Sequence, residues 1–277
     1  MNNADQIEYW NSKVGDIWVQ MQERMDRALT PVTAALLAAA APQPGEAVLD
    51  IGCGAGETTL AAAFAVGDEG DAVGLDISEQ LLGRARERAE ALLSPASFFL
   101  ADAAAWNDDG DFDLIMSRFG VMFFADPQAA FAHFHRLAAP GGRLVFACWQ
   151  PPARNLWATF PLSVLADLLP EQPAGERHAP GPFAFADAAR VATLLEAAGW
   201  RDATFHSVPF DMLIGSGDDP IADAVSFNLK IGPAARAVRD AGIGDQARPL
   251  LATALADHLH DGEVSLPGAI WLVTARA

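Results

Sequence analysis

The fold is decided by the stretch Val48-Leu49-Asp50-Ile51-Gly52-Cys53-Gly54-Ala55-Gly56-Glu57. Its apolar start predicts a short buried strand, and residues 58–66 behind it predict a helix. Glycines accept positive φ angles and let a ligand approach the backbone closely. The N-terminus of the following helix favours a negatively charged group of a ligand, because its free N–H groups carry partial positive charge. The stretch therefore predicts a ligand-binding loop between a strand and a helix.

Six further segments have the character of strands, and helical segments lie between most of them. The predicted strands are residues 47–51, 72–75, 97–100, 112–116, 143–149, 201–210 and 269–275. Strands that alternate with helices imply a parallel sheet with helices on both faces. We therefore predict an α/β protein with a doubly wound, seven-stranded, mostly parallel sheet.

The charge and the cysteine count limit the partners of the chain. It has 277 residues, with Lys+Arg 18 against Asp+Glu 36, and a formal net charge of −18. Such a chain repels a phosphate backbone and an anionic membrane surface, and no apolar run reaches the roughly 18 residues of a membrane span. Cys53 and Cys148 provide neither a disulfide framework nor a metal cluster. We expect a cytoplasmic protein without metal, nucleic-acid partner or membrane insertion.

Acidic residues follow the second and third predicted strands as well. Asp76 ends the second strand, where a carboxylate can accept both hydroxyls of a ribose, and Asp102 follows the third. The glycine spacing is G-x-G-x-G, because Glu57 stands where a dinucleotide loop would have its last glycine. Asp50 lies two residues before the first glycine, and an acid there is unfavourable beside a pyrophosphate but favourable beside a cationic sulfonium.

In these features the sequence resembles the class I S-adenosylmethionine-dependent methyltransferases. Their five motifs are matched in order by residues 48–56, 74–78, 101–103, 112–117 and 137–145. The nearest group is the small-molecule, ubiquinone/menaquinone-type methyltransferases, because Phe119-Gly120 followed by Asp126 has the spacing of that group. Met122-Phe123 stands where that group carries Arg-Asn, which puts the quinone precursor in doubt and makes this wall apolar.

The resemblance implies a Rossmann-like methyltransferase fold, S-adenosylmethionine as cofactor and S-adenosylhomocysteine as product. It places the methionine portion at the glycine loop, the ribose at the second strand end, the adenine at the third, and the methyl donor beside the fourth. The cofactor-binding residues implied are Asp50, Gly52, Cys53, Gly54, Gly56, Asp76, Ile77, Asp102, Ala103 and Ser117.

The segments outside the sheet are predicted to cover the site. Residues 4–30 predict one amphipathic helix, and residues 219–261 predict two or three helices between the last two strands. We expect residues 1–41 to form an N-terminal helical lid, 42–212 with 263–277 the cofactor-binding core, and 213–262 a helical insertion that caps the substrate.

The acceptor is expected to be a small, apolar or aromatic molecule. The lid or substrate residues are predicted to be Tyr9, Trp18, Phe119, Met122 and Phe123. His178 and His206 are weak candidates for a catalytic base, and no other base is evident. The absence of an evident base suits an amine, an activated carbon or an acidic hydroxyl as the accepting group and does not choose among them. The sequence leaves two alternatives open: a non-catalytic S-adenosylmethionine-binding module and an NAD-dependent oxidoreductase.

Overall fold

The computed structural model describes residues 3–107, 110–170 and 178–277, and in them one mixed sheet carries the fold. The order of the main strands is β3-β2-β1-β4-β5-β8-β6, and the two-residue strand β7 pairs with β8. The strands are β1 (Ala47–Ile51), β2 (Asp71–Asp76), β3 (Ser97–Leu100), β4 (Phe112–Arg118), β5 (Ala138–Trp149), β6 (Arg201–Gly215), β7 (Leu259–His260) and β8 (Glu263–Arg276). Pairing is parallel from β3 to β5 and antiparallel around β8. The predicted fold class is confirmed, with one short strand more than predicted.

Helices connect the strands and cover the sheet. They are α1 (Asn3–Trp10), α2 (Lys13–Gln20), α3 (Gln22–Ala28), α4 (Thr30–Ala40), α5 (Glu57–Val66), α6 (Glu79–Leu92), α7 (Pro127–Leu137), α8 (Leu156–Val164), α9 (Ala188–Ala197), α10 (Pro220–Asn228), α11 (Gly232–Ala241) and α12 (Gly244–Leu255). The strand order runs outward from β1 to β3 and in the opposite direction from β4 to β5. Right-handed crossovers in opposite directions place their helices on opposite faces. A crevice therefore opens at the carboxyl ends of β1 and β4, where the order reverses.

The prediction of one helix over residues 4–30 is wrong, because the segment forms three helices. Ser12 begins α2, and its hydroxyl accepts a hydrogen bond of 3.2 Å from the Val14 N–H. The side chain of Asn11 donates to the carbonyl of Ile77 at 2.7 Å and accepts from the Glu79 N–H at 3.1 Å. These hydrogen bonds hold the residues between α1 and α2 against the loop that follows β2. Hydrophobic periodicity in the sequence does not reveal such a contact.

Helix α4 belongs to the core and not to a lid. Val32, Leu36 and Ala40 are fully buried, and the helix packs against α5 and the sheet. The proposed lid is therefore limited to α1, α2 and α3, which continue from residue 3 to residue 28.

Strands β6 and β8 are longer than predicted, although both contain proline. Pro209 is tolerated because β6 lies at the edge of the sheet. Pro267 pairs with Asp211 of β6 but lies beyond Ile270, where the pairing of β8 with β5 begins. Its missing N–H therefore costs no hydrogen bond to a central strand. The helical insertion begins after Gly215 instead of at residue 213.

Strand β5 also starts earlier than predicted, because residues 140–142 form an irregularity within the strand instead of a turn before it. The register jumps between the Phe112–Ala138 pair and the Leu114–Arg143 pair. In the part of the chain that the structure describes, no helix is long and apolar enough to cross a membrane.

Candidate active site

The loop between β1 and α5 lies against the end of β4. Gly52 and Gly54 have φ angles of 65° and 55°. A Cβ on Gly52 would lie 2.7 Å from the Cα of Gly120, so only glycine allows the two loops to approach. A Cβ on Gly54 would meet nothing within 4 Å, which leaves this position open toward the crevice. The Cys53 N–H donates to the Leu75 carbonyl at 3.0 Å and holds the loop to β2.

Asp76 connects the glycine loop to the second strand end. One carboxylate oxygen accepts from the Gly54 N–H at 2.8 Å, and the other accepts from the Ser78 N–H at 2.9 Å. Burial raises the pKa of Asp76, although these backbone hydrogen bonds oppose the shift. Because an ionised carboxylate accepts about four hydrogen bonds, the group can still accept from a further donor. The group is thus oriented before any ligand binds.

Asp50 lies below the loop and does not line the crevice. It is fully buried, and its Oδ2 accepts from the hydroxyls of Thr58 at 2.6 Å and Thr59 at 2.7 Å. Its Oδ1 has no hydrogen-bond partner among the described residues. Burial raises the pKa of Asp50 to about 6, and the two threonine hydroxyls only partly offset that shift. The carboxyl group therefore supports the loop from beneath.

A cavity of about 490 Å³ occupies the crevice and extends away from it. It is mostly apolar, and a cavity of this size is typical of sites for small organic molecules. The predicted cofactor residues that line it are Gly52, Cys53, Gly54, Asp76, Ile77, Asp102 and Ala103. The predicted lid and substrate residues all line it, namely Tyr9, Trp18, Phe119, Met122 and Phe123. The structure thus brings both predicted groups to one space.

Five predicted residues do not line this cavity. Besides Asp50, they include Gly56, which lies over the Phe98 ring, where a Cβ would be 2.9 Å from Cζ. The Ser117 hydroxyl donates to the Ile51 carbonyl at 2.7 Å and accepts from the Gly120 N–H at 3.1 Å, so it joins the two loops. His206 is exposed on β6, and His178 is half-buried beside the cavity segment 180–182. Neither histidine is among the residues that line the cavity.

Cys53 lines the cavity but has the properties of a packing residue. It is buried, and burial raises the pKa of its thiol well above the usual value. A thiol that stays protonated is a poor nucleophile. We therefore treat its backbone, not its sulfur, as the functional part.

Two groups of aromatic rings face the cavity. One comes from the N-terminal helices: Trp10 makes edge contacts with Tyr9 and Trp18, at centroid distances of 5.5 Å each, and with Phe123 at 5.7 Å. We call this group the N-terminal aromatic wall. Apolar side chains of this kind suit the flat face of an aromatic ligand.

The second group, the inner aromatic wall, consists of Phe119, Trp149 and Trp157. Phe119 stacks on Trp149 with a centroid distance of 4.3 Å, and Trp149 lies 4.6 Å from Trp157. All three rings line the cavity. Because Phe119 directly precedes Gly120, this wall continues to the glycine loop.

An ionic network that the sequence analysis missed holds the N-terminal helices against the site. Arg88 contacts Asp26 at 3.1 Å and Glu57 at 3.0 Å, and Arg118 contacts Asp26 at 3.5 Å. Arg88 also donates to the carbonyl of Ala55 in the glycine loop at 2.8 Å. Burial opposes ionisation of Asp26, but the hydrogen bond with Glu57 and the charges of Arg118 and Arg88 lower its pKa overall. No local sequence pattern predicts these contacts, because each partner comes from a different helix or strand.

Three basic side chains at the far end of the cavity were also missed. Arg236 and Arg239 line it from α11, and Lys230 lines it from the residues just before that helix. A signal was present in the sequence, since Lys230 is one of only two lysines and the arginines are three residues apart in a helical segment.

Comparison with known proteins agrees with this geometry. Residues 48–142 match the model of a methyltransferase domain family. The chain is 35% identical to nocamycin O-methyltransferase of Saccharothrix syringae, over 60% of this chain and 65% of the relative. It is 36% identical to the aklanonic acid methyltransferase DauC of Streptomyces sp. strain C5, over 52% of this chain and 69% of the relative.

The whole fold has counterparts among solved structures. Magnesium protoporphyrin IX methyltransferase of Synechocystis PCC 6803, solved with bound SAH, superposes over 100% of both chains with a TM-score of 0.57 and 19% identity. This likeness concerns the fold. Shorter matches to quinone-biosynthesis C-methyltransferases of Shewanella species support the resemblance to that group.

The domain match and the similarity to DauC assign the chain to a family. The chain belongs to the class I S-adenosylmethionine-dependent methyltransferases. It spans less than two thirds of the length of several of its relatives, about half in the quinone enzymes.

Proposed function

We propose that the protein transfers the methyl group of S-adenosylmethionine to a small acceptor with an apolar, aromatic body, by in-line displacement. One observation carries the proposal: a single cavity joins the glycine loop and Asp76 to two aromatic walls. The first part fits a nucleoside-containing cofactor, and the second fits a flat organic molecule. Direct transfer requires both to occupy one space.

The residues at the loop end fit the cofactor. Asp76 would hold the ribose hydroxyls, Ile77 and Ala103 would pack near the adenine, and Asp102 would accept from its amine. The open space at Gly54 and the carboxylates of the lining suit the cationic sulfonium and ammonium groups. When bound, S-adenosylmethionine supplies a methyl group that is already activated. The buried Asp50 and Ser117 would act on it only through the loops that they support.

The chain itself would contribute orientation and exclusion of water. Holding two reacting groups in near-attack geometry supplies on the order of 7–11 kcal/mol toward the barrier. A general base adds roughly 10²–10⁴-fold where the acceptor must lose a proton. No histidine lies among the described residues that line the cavity. The arrangement therefore suits an acceptor whose reacting atom is already nucleophilic or readily deprotonated.

The relatives support a small-molecule acceptor. Two of them are named nocamycin O-methyltransferase and aklanonic acid methyltransferase, after small organic molecules. The net charge of −18 argues against a nucleic-acid acceptor. Both cysteines are free, which is compatible with a reducing compartment, and the cytoplasm is the compartment that we propose.

The experiment has a binding arm and a turnover arm. Calorimetry should show binding of S-adenosylmethionine and S-adenosylhomocysteine without binding of NAD. Turnover is read by mass spectrometry as methylated product and S-adenosylhomocysteine, using a panel of quinones, phenols, aromatic acids and small amines. Equal or tighter NAD binding would overturn the cofactor assignment. Binding without turnover of any acceptor in the panel would favour the non-catalytic module.

A further inference from the structure

Apart from the ion pair between Arg118 and Asp26, the charges that line the cavity are separated by sign. The carboxylates of Asp76 and Asp102 lie at the carboxyl ends of β2 and β3, beside the glycine loop. Lys230, Arg236 and Arg239 lie in the helical insertion that covers the cavity from another side. The carboxylates have a function in the proposed cofactor site, whereas the basic residues have none.

The three basic side chains are available to a ligand. All are exposed although they line the cavity, so they lie at its mouth. Arg236 and Arg239 are three residues apart on α11 and therefore share a face of that helix. Arg236 approaches Asp240 at 3.7 Å, and both side chains of this pair are more than half exposed. Such a pair is weak and leaves the guanidinium free to bind another anion.

A continuous series of contacts leads from the first residue of α11 to the glycine loop. A Cβ on Gly232, at the start of α11, would lie 3.3 Å from the Trp157 ring. Trp157 contacts Trp149, and Trp149 stacks on Phe119. Gly120, the next residue, approaches Gly52 as closely as glycine permits. An aromatic molecule along the inner aromatic wall would thus have one end at the glycine loop and the other at α11.

We propose that Lys230, Arg236 and Arg239 bind an ionised acid group on the aromatic acceptor and so orient its other end toward the methyl donor. This inference rests on the proposed function and specifies its substrate class. The chain carries a net charge of −18 and would repel an anionic molecule at long range. Local cations at the cavity mouth offset that repulsion and attract the acid group. Their attraction is stronger at a partly enclosed mouth than in open water.

The test uses two probes that differ by one acid group. They are 8-anilinonaphthalene-1-sulfonate and its uncharged analogue N-phenyl-1-naphthylamine, titrated by fluorescence into protein saturated with S-adenosylhomocysteine. The variants are Lys230→Gln, Arg236→Gln, Arg239→Gln and the triple variant. Arg248→Gln, on the exposed side of α12, is the matched control for loss of one positive charge. Phe123→Ala reports whether both probes occupy the cavity.

The sulfonate should bind wild-type protein more tightly than the neutral probe. Each single variant should lose about three- to fivefold in sulfonate affinity, and the triple variant about twentyfold or more. The neutral probe and S-adenosylhomocysteine should bind all of these variants as they bind wild type. Added salt should weaken sulfonate binding to wild type and affect the triple variant much less. Phe123→Ala should weaken both probes.

Several results would overturn the inference. Wild-type protein could bind the sulfonate no more tightly than the neutral probe. The triple variant could bind the sulfonate as wild type does, or Arg248→Gln could weaken sulfonate binding as much as the cavity variants do. Parallel loss of both probes in the arginine variants would indicate a purely structural role. A larger loss for S-adenosylhomocysteine than for the sulfonate would assign the cations to the cofactor. Failure of wild-type protein to bind S-adenosylhomocysteine would instead contradict the proposed function, so the two failures are distinguishable.

Discussion

Phe119 stacks on Trp149 with the ring centroids 4.3 Å apart and the ring planes 9° from parallel. Phe119 follows β4 and has a φ of 70°, a left-handed conformation that is unfavourable for a residue with a side chain. Its N–H donates to the Ala147 carbonyl of β5 at 3.0 Å. The stack and this hydrogen bond hold the ring against the inner aromatic wall. The strained backbone is thus fixed where it places an aromatic face toward the acceptor space.

The first prediction concerns the aromatic walls. Phe119→Ala, Trp18→Ala and Phe123→Ala should each raise the KM for the acceptor by about two- to tenfold, because an aromatic contact contributes about 0.5–1.5 kcal/mol beyond area burial. Affinity for S-adenosylhomocysteine should change much less. Steady-state kinetics and calorimetry on the same preparations measure the two effects. Phe64→Ala, whose ring is 57% exposed on α5, is the matched control. Unchanged acceptor kinetics in all three variants would show that these rings only support the fold.

The second prediction concerns Asp76. Asp76→Ala removes a carboxylate that the Gly54 and Ser78 N–H groups already orient. Loss of charge-assisted hydrogen bonds to the ribose should cost roughly 1.5–3 kcal/mol of cofactor binding. Calorimetry with S-adenosylhomocysteine measures it, and circular dichroism checks folding. Asp71→Ala, at the exposed start of the same strand, should bind as wild type does. Unchanged affinity in a folded Asp76→Ala protein would mean that the ribose lies elsewhere.

The sheet could be predicted because local patterns determine it. Apolar segments bounded by glycine and proline mark each strand, and the alternation with helices sets the parallel order. The extension of β8 past Pro267 could not be predicted, because it depends on where β5 stops pairing. The break at Ser12 is likewise set by the contact between Asn11 and Ile77, 66 residues away.

The candidate site shows the same difference between features set by local pattern and features set by tertiary contacts. The positions of Gly54, Asp76 and Asp102 at the cavity follow from their places at strand ends. The position of Asp50 below the loop does not, because the direction of a side chain depends on burial and on the threonines that follow. The basic residues of α11 reach the cavity only through tertiary packing, which a helical pattern does not specify.

The third prediction concerns the pH dependence of stability. The pKa of Asp50 is raised to about 6, chiefly by burial, from a usual value of 3.8. The native state therefore holds this proton more tightly than the unfolded chain does. The resulting stabilisation is complete below pH 3.8 and is lost as pH rises to about 6. Between pH 4.5 and 7.5 the loss should be about 2 kcal/mol.

Asp50→Asn removes this titration while keeping an oxygen that accepts from Thr58 and Thr59. Urea unfolding of both proteins at pH 4.5 and pH 7.5 gives the free energies to compare. The variant should gain stability relative to wild type as pH rises. A difference that is the same at both pH values would show that Asp50 does not titrate in this range.

The last prediction concerns closure over the cavity. Helices α1 to α3 and residues 230–239 line the same cavity from outside the sheet. Segments that act as lids have low local stability. Both segments should therefore exchange amide hydrogens faster than the strands do in the free protein. Saturation with S-adenosylhomocysteine and an acceptor, or with 8-anilinonaphthalene-1-sulfonate in its place, should protect both segments. Hydrogen exchange read by mass spectrometry measures the effect.

Asp26→Asn tests what holds this lid in place. The substitution removes the charge that Arg88 and Arg118 share, so residues 3–28 should exchange faster and gain less protection from ligands. Glu23→Gln is the matched control, because Glu23 lies on the same helix with its side chain 83% exposed. If protection appears only in the strands, or if both variants exchange alike, the N-terminal helices are a fixed part of the structure and the acceptor enters by another route.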